Sequence, residues 1–405
     1  MPFLLTCKER ICIIKFVICS TAETESFRRQ KLKSHPILVS LIIALLAGTA
    51  ANAKYSGGTG DPNDPYQIAT KADLLTLASD ANDYDKCFVL TGDIDMESQV
   101  FTKAIITPNA RSDSFFEGPV FTGTFDGNGH RVMNFTINGG TGSTLGLFGY
   151  ISSSGSVKNL CLENCSVTGC FYVGHLVGRS DGSISNCHST GMVSGSSGSY
   201  YIGGLAGSSH GIMSRCSSNG AVSGSSSVGG LVGVIQGSVS NCYSTSTVSG
   251  SLEVGGLVGY NLFGTVSNCY ATGSVGSSGA GGLVGFNVGR VICCYSTGAV
   301  SGTTHTGGLV GYTLYQYGSV FASYWDTQTS GRTSSDGGIG KTTAEMKAKS
   351  TFTDAGWDFA EIWCIGENQT YPYLRFAPAG DLNYDKKVNL ADLAILASHW
   401  LEGPP

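Results

Sequence analysis

Apolar residues in the middle of the chain return at fixed intervals. A leucine recurs within Gly-Gly-Leu-Val-Gly-like phrases at Leu147, Leu176, Leu205, Leu231, Leu257, Leu283 and Leu309, in steps of 29, 29, 26, 26, 26 and 26 residues. Eight or nine residues further on stand Ile184, Met213, Val239, Val266 and Val291. Eleven or twelve on stand Cys187, Cys216, Cys242, Cys269 and Cys294, and seventeen or eighteen on stand Val193, Val222, Val248, Val275 and Val300. Each repeat therefore holds three short apolar or β-branched pieces separated by Gly, Ser and Asn. No piece shows a 3.6-residue period, which rules out helices. Three such strands cannot bury a core alone, but successive coils can stack in parallel at a rise of roughly 4.8 Å. The predicted fold class is all-β, a parallel β-helix of about seven turns of 26–29 residues with small helical caps. A β-propeller fits less well, because its blades need about 40 residues and four strands. Val239 and Cys242 lie three apart, and a straight strand sends them to opposite faces. Either a bend separates them or the cysteine row faces outward.

Charge sharpens the division. Only seven charged residues fall between Thr141 and Ser323: Lys158, Glu163, Arg179, Asp181, Arg215, Glu253 and Arg290. The formal net charge of the chain is −5, which makes no case for a nucleic-acid partner. At the front, Arg28, Arg29, Lys31 and Lys33 precede the apolar run ILVSLIIALLA, and Ala51-Asn52-Ala53 follows. A basic start, a short apolar core and an A-x-A site predict a secretory signal peptide over residues 1–53, cleaved after Ala53. Residues 1–27 are an unusual lead, read as a misassigned start. The run is too short for a membrane span, so no span is expected in the mature chain. The predicted organisation is a cap and opening turns over 54–140, repeats over 141–323, a second cap over 324–376 and a tail over 377–405.

The phrases GGLVGYNLFGTVSNCYATGSV and FTGTFDGNGHRVMNFTI resemble the GLUG-motif family of secreted bacterial proteins. The resemblance covers most of residues 55–376. It implies an extracellular or cell-surface, adhesin-like protein and supplies no catalytic residues.

Eleven cysteines remain after residue 53. Their spacing near 26 does not match zinc knuckles. They read as a stacked row of small buried side chains, with disulfides between neighbouring turns as the alternative in an oxidising compartment. At the ends, Thr70 and Asp73 form a capping box that opens TKADLLTLASD, and Thr342 and Glu345 form another. The phrase GGIGKTT lacks the first glycine of a phosphate loop, since Ser335 stands there.

The tail GDLNYDKKVNLADLAILASHWL carries the strongest chemical motif. Asp381, Asn383, Asp385, the Lys387 carbonyl, Asn389 and Asp392 occupy positions 1, 3, 5, 7, 9 and 12 of a loop, a spacing of hard oxygen ligands that suits Ca²⁺. It resembles a type I dockerin loop–helix, which implies a cohesin-like docking partner. Lys386 replaces the turn glycine and only one such segment is present, which counts against that partner.

Function is read as binding rather than catalysis. Glycoside hydrolysis needs two carboxylates about 5–9.5 Å apart, yet Glu163, Asp181 and Glu253 sit at different phases of the repeat. His188, Tyr243, Tyr270 and Tyr295 follow their cysteines in phase. Facing outward, they would form an aromatic stripe for a glycan or cell-surface ligand; facing neighbours, they are ordinary ladder packing. The rival is an extracellular polysaccharide-degrading enzyme, a lyase or glycoside hydrolase, with its site in the opening turns.

Overall fold

Each coil places its apolar residues on three faces, and each face repeats one coil higher in parallel register, with shifts after Leu162 and Gly169 where the longest strands pair. The computed structural model describes residues 54–111 and 113–375. Face A is a ten-stranded parallel sheet running from Tyr66–Ile68 to Ser319–Phe321. Its triplets, such as Ser238–Ser240 and Thr265–Ser267, bury one central residue and leave two half-exposed. Val157, Ile184, Met213, Val239, Val266 and Val291 align one above another in this register. Face B has seven strands, from Phe148–Ile151 to Val310–Thr313. Face C carries the longest strands, Cys161–Val173 and His188–Gly203. It breaks into shorter pieces in later coils, such as Tyr243–Ser244, Thr247–Ser249 and Leu252–Gly255. All seven marker leucines are fully buried in one core that fills the lumen. The fold is the parallel β-solenoid that the repeat predicts.

The spacing of Val239 and Cys242 resolves as a bend. Both are fully buried, and Asn241 between them has φ +53°. The same left-handed corner recurs at Asn159, Asn186, Arg215, Asn268, Cys293 and Ala322. Asparagine tolerates this region better than other non-glycine residues, which explains most of these positions. The amides also chain between coils: Asn186 Nδ2 donates to Asn159 Oδ1 at 3.1 Å, and Asn159 Nδ2 donates to Asp126 Oδ1 at 3.0 Å.

The repeated glycines follow from close approach of backbone. At Gly230 a Cβ would lie 2.1 Å from the carbonyl oxygen of Gly256 in the next coil. At Gly229 it would lie 1.9 Å from the carbonyl oxygen of Val232. Two consecutive positions that exclude a side chain explain the Gly-Gly pair.

The cysteines point into the lumen behind the bend. Cys187, Cys216, Cys242, Cys269 and Cys294 have no exposed surface, and the described cysteines are thiols rather than disulfides. The Cys216 amide donates to Cys242 Sγ at 3.3 Å, and Cys242 repeats this to Cys269. Each thiol donates in turn to the carbonyl two residues back, at 3.2 Å for Cys216 and Cys242. Stacked thiols so placed act as soft apolar filling. Iodoacetamide in native buffer is expected to reach only Cys87, Cys161, Cys293 and Cys364 among these eleven, and all eleven in denaturant. A disulfide-linked peptide pair in a digest would contradict the stacked-thiol row.

Both ends are closed. Helix Lys71–Ser79 begins at the Thr70–Asp73 capping box and buries Leu74 and Leu77. At the far end, Ser335 Oγ accepts from the Leu309 and Val310 amides at 3.1 and 2.9 Å, and Asp336 Oδ2 accepts from Thr313 N at 2.5 Å. These bonds cover the edge of face B, which would otherwise offer unpaired donors to another chain. GGIGKTT supplies strand Ile339–Lys341, which pairs with Tyr324–Asp326, and the Thr342–Glu345 capping box opens helix Thr343–Met346. No described helix is long and apolar enough to cross a membrane. The signal segment predicted over 1–53 and the calcium loop predicted over 381–392 lie outside the described residues.

Candidate binding faces

The predicted aromatic stripe exists as a single outward column of face C. Its register runs Arg131, Cys161, His188, Ser217, Tyr243, Tyr270, Tyr295 and Tyr324. Tyr243 and Tyr270 stack at 5.0 Å and 5°, and Tyr270 and Tyr295 at 5.1 Å and 9°. His188 Nδ1 lies 2.7 Å from Ser217 Oγ. The structure thus brings the four predicted residues into one column, but it does not leave them open. The segment after Lys341 folds back over the upper end and packs Trp357, Trp363 and Phe352 against the rings. Tyr295 is 2% exposed, and its hydroxyl donates to the Pro372 carbonyl at 2.5 Å. Of the two readings that the sequence leaves open, packing rather than an open stripe holds at this end: Tyr270 and Tyr295 anchor the cap, because burying stacked rings under two indoles removes a large apolar area from water.

A second column turns aromatic in its last three coils, where its rings reach solvent in part. On face B the outward register runs Tyr150, Arg179, Ser208, Val234, Tyr260, Phe286 and Tyr312. Tyr260 and Phe286 stack at 4.9 Å, and Phe286 and Tyr312 at 5.4 Å. Tyr312 is 39% exposed. In the loops that follow these strands, Phe263 and Tyr317 meet edge-on at 5.9 Å, and both are exposed, as is Tyr315. The column was legible in the sequence as the residue three after each marker leucine, at the same 26-residue step as the cysteine-linked column.

The acids of the repeat wall each have a local partner. Glu163 accepts from Arg131 at 2.8 Å, and Glu253 accepts from Ser227. Asp181 accepts from the Tyr150 hydroxyl at 2.5 Å and lies 3.1 Å from His210 Nδ1. His210 Nε2 is 2.9 Å from Ser208 Oγ. This Ser–His–Asp chain has hydrogen-bond lengths of a nucleophile relay. Ser208, however, has no exposed surface, so its oxygen ends inside the wall and meets no solute. Burial, with the Arg179 charge adding to it, lowers the His210 pKa, and the Asp181 carboxylate offsets only part of that.

The opening coils hold a shallow polar groove of about 350 Å³ beside Asn134 and Asn164. Among the described residues no group of three or more His, Cys, Asp or Glu side chains is placed to hold a metal ion. The calcium ligands read from the sequence, Asp381 to Asp392, lie beyond these residues.

Residues 224–249 and 250–276 match the model of the GLUG motif. The chain carries GLUG repeats. Across 154 residues it is 36% identical to Halomucin of Haloquadratum walsbyi, a match covering 37% of this chain and 2% of Halomucin. It is 32% identical across 154 residues to a protein of Evansella cellulosilytica provisionally named a Gly-rich membrane protein, covering 37% of this chain and 17% of that one. The chain therefore matches only a small part of either relative's length. Among solved structures, a Bacteroides ovatus chain provisionally named an immunoglobulin A1 protease superposes with a TM-score of 0.55 at 21% identity, covering 80% of this chain and 96% of that one. That likeness is one of fold. The GLUG phrase itself is the glycine pair and marker leucine whose close packing is described above.

Proposed function

We propose that this chain works outside the cell, secreted or at the surface, as a non-enzymatic binding solenoid whose contact surface is the open aromatic column of face B. The observation that carries this reading is the exposed set Tyr312, Phe263, Tyr315 and Tyr317, continued by the half-buried rings of Tyr260 and Phe286, on a wall with few charged residues. Isolated surface rings are ordinary, whereas contiguous exposed apolar groups mark interaction sites. Rings whose hydroxyls remain wet suit glycans and other flat polar polymers. The signal-like front and the relative named as a membrane protein support an extracellular location. The tail, through Asp381, Asn383, Asp385, the Lys387 carbonyl, Asn389 and Asp392, takes up Ca²⁺ and docks the chain to a cohesin-like or other partner.

The test is retention of the mature chain on insoluble polysaccharides and cell-wall preparations, with and without calcium. The triple variant Tyr260→Ser, Phe286→Ser, Tyr312→Ser is expected to lose at least about tenfold in retention, since stacked aromatic anchors commonly dominate a contact. Equal retention of the variant would remove the face B assignment. Release of reducing ends or unsaturated products would replace binding by the enzymatic reading.

A further inference from the structure

The groove in the opening coils is a departure from the repeat, and one residue marks it. In the marker phrases the position before the leucine is Gly146, Gly204, Gly230, Gly256, Gly282 or Gly308, but in the coil of Leu176 it is His175. His175 is buried in the lumen, where Nε2 lies 3.0 Å from the Cys165 carbonyl and 3.2 Å from the Met192 carbonyl. Cys165 and Met192 both line the groove, so the ring braces its floor from inside. Above the floor, Thr136, Ser166 and Met192 form an outward column in register.

The wall is preset by two asparagines. Asn134 and Asn164 have φ of +59° and +53°. Asn164 Nδ2 donates to Asn134 Oδ1 at 2.8 Å, and Asn134 Nδ2 donates to Asp95 Oδ1 at 3.0 Å. These bonds fix which end of each amide donates and which accepts. Besides the Cys165 floor, the remaining lining is Ser98, Thr136, Ser166, Gly191 and the half-exposed Met192. No charged side chain lines the groove.

From this chemistry we infer that the groove is a subsite for one neutral sugar ring, independent of the face B column. Its volume of about 350 Å³ falls within the range of small-molecule sites, at the lower end. Amides and hydroxyls offer both donors and acceptors, as vicinal hydroxyls of a sugar require. An anionic ligand would enter without a counter-charge and beside the Asp95 carboxylate, which disfavours it. The Met192 thioether gives the apolar C–H face of a ring a soft contact. The Cys165 thiol takes no part in chemistry here, since burial holds it protonated.

The experiment is saturation-transfer NMR and calorimetry of the mature chain with methyl glucoside, methyl mannoside and methyl galactoside, with glucuronate as the charged control. Saturable binding of at least one neutral glycoside is expected. Asn134→Gly and Asn164→Gly keep the positive φ without strain and remove the amides. Each is expected to weaken binding about tenfold or more, the loss of one or two well-placed hydrogen bonds. Thr136→Val and Ser166→Ala, on the open face of the strand, give the same reading if a glycine variant melts early. Tyr312→Ser is expected to leave glycoside binding unchanged, so failure of the polymer-retention assay and failure of this subsite are separable. Lack of saturable binding by all three neutral glycosides, binding that survives all four groove substitutions, or tighter binding of glucuronate would each overturn the assignment.

Discussion

Replacing Gly256 by alanine is expected to destabilise the solenoid by about 3 kcal/mol, measured as a shift of the chemical-denaturation midpoint. The added Cβ would lie 2.1 Å from the carbonyl oxygen of Gly282 in the next coil and 2.9 Å from the Ala271 Cβ. Neither contact is the end of a flexible side chain. Relief requires the backbone of one coil to lift from the next, which breaks the hydrogen bond from the Gly256 amide to Gly281 O, 3.2 Å long, and loosens that from the Leu257 amide to Leu283 O, 2.9 Å long. In a stacked array the damage spreads to both neighbours, because each coil is stabilised by those it touches. Gly279→Ala is the matched control. Its Cβ would meet nothing nearer than 3.8 Å, so the midpoint is expected to move by no more than about 0.5 kcal/mol. If the two variants melt alike, the close-approach account of the Gly-Gly pair is wrong.

Acid is expected to remove about 3 kcal/mol of stability between roughly pH 6.5 and 4 through His175. Burial pushes its pKa down to about 4 from 6.5, and the bonds to the Met192 and Cys165 carbonyls offset only part of that. Below pH 6.5 the unfolded chain binds a proton that the folded chain refuses, so the balance tips toward unfolding as pH falls. The loss is complete once pH drops below the folded value. His210, also lowered by burial, adds in the same direction. The depressed carboxylates Asp126 and Asp326 act in a lower window, because their stabilising charge is lost only beneath the ordinary carboxylate range. Denaturation series at several pH values on the wild type and on His175→Gly, which restores the glycine of the other coils, isolate the histidine. Parallel pH slopes for the two would show that His175 stays charged or exposed in the fold.

Much of the coil was legible before any coordinates. Ladders need the same kind of residue at every level, so Leu231, Leu257 and Leu283, or Val239, Val266 and Val291, had to recur at the coil length. The capping boxes at Thr70 and Thr342 were also legible, since their bonds span three residues. The bend at Asn241 was half legible: a three-residue spacing of two buried positions demands a corner, but only the backbone angle shows that it is taken there.

The outward columns were a different matter. Tyr243, Tyr270 and Tyr295 look in sequence much like Tyr260, Phe286 and Tyr312: aromatic residues at one step per coil. One set anchors a cap and the other keeps part of its surface in solvent. What separates them is the return of a segment 77 residues away, which brings Pro372 onto Tyr295. The groove has the same character, since His175 marks a broken phrase but its bonds run to Cys165 and Met192 in different strands of face C.

The order of residues by itself determined the period, the lumen filling and the glycine pairs, because these are set by contacts that repeat identically from coil to coil. Only the tertiary structure decided which aromatic column stays open and where a polar groove forms. Those outcomes depend on single contacts between distant segments, and no periodic pattern records them.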